Sequence, residues 1–462
     1  MTRRELMVAA AHLGLAAAYI PRSARAQSVI GKDPRLISRS IRPVDLETPV
    51  ALLDSFLTPA SAFFVRSHMT VPSIDEAAWM LAVEGEVGKP VSISLADLRR
   101  MPRATVTTTM ECAGNGRAFF DPPVAGIQWR KGAVGTARWT GVRLADVLTR
   151  AGTRRGVTHV WMSGADRPFG TQPPFVRQLP MAKAMHPDTL IAHSMNDGPI
   201  PLLNGAPLRL IVPGWEGAYS LKWLNRLTVA TSEHDGFWVA NAYRYPETAV
   251  APGAVVNARE MAPLMGLVVK SLITRPLDGS IVNPGRSTIA GYAWAGETDI
   301  ARVDVSIDGG VSWKPARLGG PRVKYAWRRF EYDAALVDRI YDIRSRATDT
   351  RGNAQPLTPG WNPSGYLWNA PDQIRVEATT ATSGGSKPPA PPLTPSHDST
   401  DGETVYQSAC RVCHADDLVE QQRLSEAAWG RTVDKMVQWG ARVENDRRAS
   451  LLKYLAARYG PR

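Results

Sequence analysis

Residues 410–414 read Cys410-Arg411-Val412-Cys413-His414, and the 462-residue chain holds one other cysteine, Cys112. Cys-x-x-Cys-His is the covalent attachment site of a c-type haem. The two thiols form thioethers to the porphyrin, and the histidine is placed to ligate the iron. No other feature constrains the fold as much, because the segment around it must close on a flat macrocycle. A zinc reading needs further ligands nearby, and no Cys or His follows His414. Met436 is the only methionine after the motif, and a soft thioether ligand raises a haem potential. Trp429, Val433, Met436, Val437 and Gly440 also fall on one helical face, which is the ordinary pattern of core residues. The expectation is a small helical electron carrier with His414 and Met436 as iron ligands.

The N-terminus agrees with an exported haem protein. Thr2-Arg3-Arg4-Glu5-Leu6-Met7 is a twin-arginine pattern, an apolar run extends from Met7 to Ile20, and Ala24-Arg25-Ala26 is a cleavage signature. The run is shorter than the roughly 20 residues that a membrane span needs. Residues 1–26 are therefore expected to be a removable signal peptide, with the mature chain in the periplasm and no membrane span. Without them the formal charge falls from +12 to +9. Residues 401–462 carry 10 basic and 9 acidic groups, so the excess lies in the larger, preceding part. A basic cleft there favours a small anionic substrate. Nucleic acid is set aside, since an exported haem protein rarely meets it.

Residues 383–400 contain five prolines among Ser, Gly and Thr. That composition predicts an extended, semi-rigid linker, suited to a carrier that swings between donor and acceptor. It isolates a cytochrome c domain over 401–462. Before it, residues 260–375 read as an immunoglobulin-like β-sandwich. Val303, Val305 and Ile307 alternate with Asp304, Ser306 and Asp308, and Asp308-Gly309-Gly310 and Asp349 to Asn353 are turn signals. Residues 40–255 mix strands with helices: Leu208 to Val212 is a short buried strand, and Ser94 precedes a helix as its cap. The fold class expected is α+β.

The third cysteine lies in Glu111-Cys112-Ala113-Gly114-Asn115-Gly116-Arg117, a loop of small residues after a β-branched run. A thiolate there suits a soft or high-valent metal. Gly114 and Gly116 allow close backbone approach to a cofactor, and Arg117 offers bidentate donors to an oxyanion. A lone cysteine is otherwise most often a buried, inert side chain.

This loop resembles the molybdenum-cysteine loop of the sulfite oxidase family. Phe64-Val65-Arg66-Ser67-His68 is similar to the family's Arg-x-His strand. Leu208 to Gly217, followed by Lys222-Trp223-Leu224, resembles its pterin-binding segment, and Asp235 to Arg244 resembles the segment bearing its active-site tyrosine. The likeness runs over about residues 40–375 and makes the β-region a dimerisation domain. It implies a molybdenum–molybdopterin cofactor with Cys112 as the protein ligand to the metal, Arg66 and Arg117 flanking the substrate anion, and Tyr243 beside the reacting group. It implies that His68, Arg209 and Lys222 hold the pterin and its phosphate. Asn204 stands where vertebrate members carry a pterin-binding histidine, a difference of subgroup. The implied activity is oxidation of sulfite to sulfate, with electrons leaving singly through the haem to an external c-type cytochrome, in a homodimer. Rival readings are a sulfane dehydrogenase of a thiosulfate-oxidising complex, a methionine sulfoxide reductase, and an electron-transfer protein whose molybdenum site has decayed. Retained Cys112, Arg66 and Tyr243 count against the last.

Overall fold

The computed structural model describes residues 31–380 and 401–461. The expected signal peptide (1–26) and linker (383–400) lie outside the described residues. No helix among the described residues is long and apolar enough to cross a membrane.

Two five-stranded sheets frame the first domain. In one, the strand Arg103–Glu111 pairs antiparallel with Val134–Arg143, which pairs in turn with Leu190–Met195; the short strand Arg209–Ile211 joins the last of these. Four threonines and a valine in the first strand favour extended backbone. Thr109 sits opposite Thr136, their hydroxyls 2.6 Å apart. Glu111 ends the strand, so Cys112 begins the loop at its tip. In the second sheet Leu224–Ala230 lies between Met80–Gly85, parallel, and His159–Gly164, antiparallel. The expected Ser94 cap is present: Asp97 N donates to Ser94 Oγ at 3.1 Å, opening the helix Leu95–Arg100.

The second domain is a sandwich of a four-stranded and a five-stranded sheet around Ile273, Ile289, Val303, Phe330 and Ile343. Both expected turns close as read, with Asp308 accepting from Ser312 N and Asp349 from Arg351 N and Asn353 N. One detail differs. In the strand Ile300–Ser306, Asp304 and Ser306 are buried together with Val303 and Val305. Arg302 covers the Asp304 carboxylate at 2.7 Å, so the polar face is shielded by neighbours. Glu111 locks this domain to the first: it accepts from Lys270 Nζ (2.6 Å) and Trp294 Nε1 (2.9 Å), both on sandwich strands.

Residues 401–461 form a small helical module whose longest helices are Glu426–Gln438 and Arg448–Tyr459. Its core gathers Tyr406, Leu424, Trp429, Val433, Leu451 and Leu455. The apolar face is shorter than its spacing predicts. Trp429 and Val433 are buried, Val437 is 40% exposed, and Gly440 lies beyond the helix end. The swinging carrier suggested by the linker is here a seated one. Gln422 Nε2 donates to Gly126 O (2.9 Å), Gln421 Nε2 to Arg39 O (2.7 Å), and Ile41 N to Asp417 Oδ2 (2.8 Å).

Candidate active site

Cys112 lines a pocket of the first domain together with Arg66, His68, Asn204, Arg209, Lys222 and Tyr243. Every site residue predicted in this domain faces that pocket or the cavity above it; Arg117 lines the latter. Burial pushes the Cys112 thiol up to about 11, against the pull of Arg66. Without a metal the sulfur therefore holds its proton, and loading a metal would release it.

The pocket is rich in cations that lack carboxylate hydrogen-bond partners. Lys222 Nζ donates to Ser67 Oγ (2.9 Å) and Leu203 O (3.2 Å). Arg209 donates to Ser220 O, Asn204 O and Met110 Sδ. Burial, and then Arg209, hold the Lys222 ammonium well below its usual range, while burial lowers Arg209 to about 9. Buried positive charge of this kind fits an anionic group, such as a phosphate, that completes it. Asn204 lines the pocket, its Oδ1 accepting from Lys32 Nζ (2.5 Å) and its Nδ2 donating to Phe64 O (3.3 Å). It forms wall, with its oxygen already engaged by the chain.

Arg66 is held from behind by Asp45, which is fully buried, at 3.2 Å. Burial, the largest influence, would lower the guanidinium, but Asp45 together with Tyr243 and Cys112 more than offsets it and keeps the charge in place. Arg117 donates to Ile127 O (3.1 Å) and Ser364 O (3.3 Å), while its buried Nε has no protein partner and is available to an anion. The glycines of the Cys112 loop also have close neighbours within the chain. A Cβ on Gly114 would lie 2.7 Å from Arg117 Nη1, and one on Gly116, at φ +94°, would lie 2.6 Å from the Trp368 ring. They make room for the arginine and for Trp368.

Tyr243 adopts the left-handed backbone region at φ 56°, a strain of about 1–3 kcal/mol that such sites often store. Its hydroxyl hydrogen-bonds His68 Nε2, and its ring stacks on Tyr366 at 5.6 Å. Burial, followed by Arg66, Lys222 and Arg177, drives the His68 pKa well below its usual value, so the imidazole is neutral. Burial pushes the Tyr243 phenol up, so it keeps its proton. Sequence reasoning missed Arg177, whose guanidinium lies over Tyr219 (4.3 Å) and Tyr243 (4.6 Å) and 3.5 Å from Glu216. Burial raises the Glu216 carboxyl to about 7 despite that arginine. The only trace of Arg177 in the sequence is a charge within a strand-like run. Tyr366 lies in an irregular segment with no periodic signal.

Above the pocket the cavity opens to about 350 Å³ and continues into the helical module. Cys410, Cys413, His414 and Met436 line it, together with apolar Leu418 and Val433. An apolar slot bearing two free thiols, a histidine and a methionine fits a covalently held haem. Among the described residues no three His, Cys, Asp or Glu side chains are gathered for a metal.

The oxidoreductase molybdopterin-binding domain family matches residues 68–238, and the Mo-co oxidoreductase dimerisation domain family matches 262–379. Mouse mitochondrial sulfite oxidase is 39% identical over 75% of this chain, which spans 66% of the mouse protein. The chicken (Gallus gallus) sulfite oxidase is 38% identical over 73% of this chain and 77% of its own length, and the Arabidopsis thaliana enzyme 32% over 73% and 92%. The crystal structure of the sulfane dehydrogenase SoxCD from Paracoccus pantotrophus superposes with a TM-score of 0.64 at 26% identity, covering 79% of this chain and 94% of that one. With a cysteine-bearing, cation-lined pocket and two matching domains in the same order, this chain belongs to the sulfite oxidase family of molybdopterin oxidoreductases.

Proposed function

We propose that this protein is a periplasmic sulfite dehydrogenase, exported by the twin-arginine route. Its substrate is sulfite, and its electrons pass singly through a fused haem c to an external c-type cytochrome. The observation that carries this reading is the single cavity shared by Cys112, Arg66 and Tyr243 on one side and Cys410, His414 and Met436 on the other.

The molybdenum–pterin group, when bound, supplies the two-electron oxidation of sulfur and the transfer of oxygen to it. The chain supplies the rest. Cys112 would hold the metal, and Arg209 and Lys222 would neutralise the pterin phosphate. Arg66 and Arg117 bind the sulfite oxygens, each charge-assisted contact contributing about 1.5–3 kcal/mol. Arg66 is pre-organised by Asp45, so little ordering remains at binding. Neutral His68 fixes the Tyr243 hydroxyl, which stays protonated and can donate to an oxyanion. Cys410 and Cys413 would hold a haem c covalently, His414 and Met436 would ligate its iron, and the group would supply one-electron acceptance. The dimerisation domain supports a homodimer.

The likeness to a sulfane dehydrogenase favours a second reading, in which the substrate is a protein-bound sulfur. The seated haem module counts against it, because a carrier arm would have to enter a cavity that the module covers. Cys112→Ser is expected to abolish sulfite turnover while leaving haem attachment intact, as read by steady-state assay and haem staining. Metal analysis should find both molybdenum and iron in the wild-type protein. Iron without molybdenum would instead mark an electron carrier with a decayed site.

A further inference from the structure

Trp439 belongs to the haem module by sequence but packs into the core of the catalytic domain. It follows directly on the helix Glu426–Gln438, three residues after Met436. Its indole lies 5.2 Å from the Phe237 ring and 5.8 Å from that of Trp238, two catalytic-domain residues. The helix end is closed by the same domain. Thr171 N donates to Trp439 O and Thr171 Oγ1 to Gln438 O, each at 3.2 Å, satisfying carbonyls that a helix terminus otherwise leaves to water. The two backbones are in direct contact: a Cβ on Gly170 would meet Trp439 O at 2.9 Å.

The aromatic contact continues inward. Trp238 meets His68 edge to face at 5.0 Å, and His68 is hydrogen-bonded to Tyr243. A packed path therefore runs from the helix carrying Met436 to the wall of the Cys112 pocket. The other module contacts named above are polar bonds from Asp417, Gln421 and Gln422. A large aromatic anchor flanked by polar contacts is the make-up of an interface hot spot.

We propose that Trp439 is the docking anchor of the haem module and that its contact with Trp238 couples the two redox pockets. The coupling half rests on the function proposed above; the docking half does not. In each transfer one electron leaves the reduced molybdenum centre and converts ferric haem to ferrous haem. An external one-electron acceptor reoxidises the haem before the second transfer. Trp439, Trp238 and His68 provide packed atoms between the centres; they form no bond and change no oxidation state.

The test compares the full-length, cofactor-loaded protein with Trp439→Ala and Trp439→Phe. Hydrogen–deuterium exchange reads the Thr171 amide, and stopped flow reads haem reduction by sulfite. In the wild type the Thr171 amide should be protected. In Trp439→Ala its protection should fall about tenfold, equivalent to ~1.4 kcal/mol, the scale of a lost aromatic pair. Trp439→Phe should keep most of the protection. Haem reduction should slow in the same order, with the haem spectrum and potential unchanged. Should Trp439→Ala fail to fold, Gly170→Ala, which pushes on the same contact from the other side, should give the same loss. Equal Thr171 exchange in wild type and variant overturns the anchor. Lost protection with an unchanged rate of haem reduction overturns the coupling. If sulfite leaves the wild-type haem oxidised, the proposed reaction and the coupling built on it fail together, and exchange still decides the anchor.

Discussion

Arg66 and Asp45 show how one pair can serve both stability and binding. Asp45 is fully buried and its carboxyl is raised by that burial, against the pull of Arg66, so its charge depends on the arginine. Arg66→Gln should raise the apparent KM for sulfite about ten- to a hundred-fold, the loss of one charge-assisted contact. It should also destabilise the fold by roughly 3–5 kcal/mol, because a buried charge loses its partner. Adding Asp45→Asn should restore the melting temperature without restoring KM. Recovery of both would make the arginine purely structural. Lys32 offers a pH test. Burial, then Arg209, lowers its ammonium to about 7, and its Nζ donates to Ala60 O, Phe63 O and Asn204 Oδ1. Above that pH the unfolded chain, with a lysine pKa of about 10.4, binds more protons than the folded one, so stability rises with pH. Cofactor-free protein should therefore gain stability from about pH 7 to 8.5, by up to ~1 kcal/mol per unit from this group, and Lys32→Met should flatten the rise. Thermal melts across that range measure it.

At the scale of elements, chemistry with fixed spacing is what the sequence makes readable. The haem motif, the Cys112 loop and the turns at Asp308 and Asp349 each need particular residues at particular offsets, and the two turns close in the structure as read. Groups that work through a distant partner leave no such mark. Asp45 meets Arg66 across 21 positions, and Arg177, on the strand Val176–Pro180, meets Glu216 at the start of a distant turn. The seat of the haem module is equally silent, because Gln421 and Gln422 bond to backbone, which any residue supplies. Met436 shows the value of weighing both readings. It is half-buried and outside the module core, and it lines the cavity with His414. Met436→Ala should lower the haem potential and remove the methionine–iron absorption band, since a soft ligand favours the ferrous state. An unchanged potential and band would move the sixth ligand elsewhere.

On the scale of the whole molecule, three bodies are joined by specific locks. Glu111 ties the strand before Cys112 to the sandwich through Lys270 and Trp294, so the metal-binding loop is braced by the domain that mediates dimerisation in this family. Residues of the helical module line the cavity from the other side, so the haem proposed there would lie next to the proposed molybdenum site. That juxtaposition is the centre of the account, and it can be tested in one cuvette. Sulfite is added without oxygen to the oxidised, full-length protein loaded with both cofactors, and the haem spectrum is followed. The account predicts prompt conversion to the ferrous spectrum with no added mediator, and no conversion in Cys112→Ser. A haem that stays ferric in the loaded wild-type protein, or one that sulfite reduces equally well without Cys112, would contradict it.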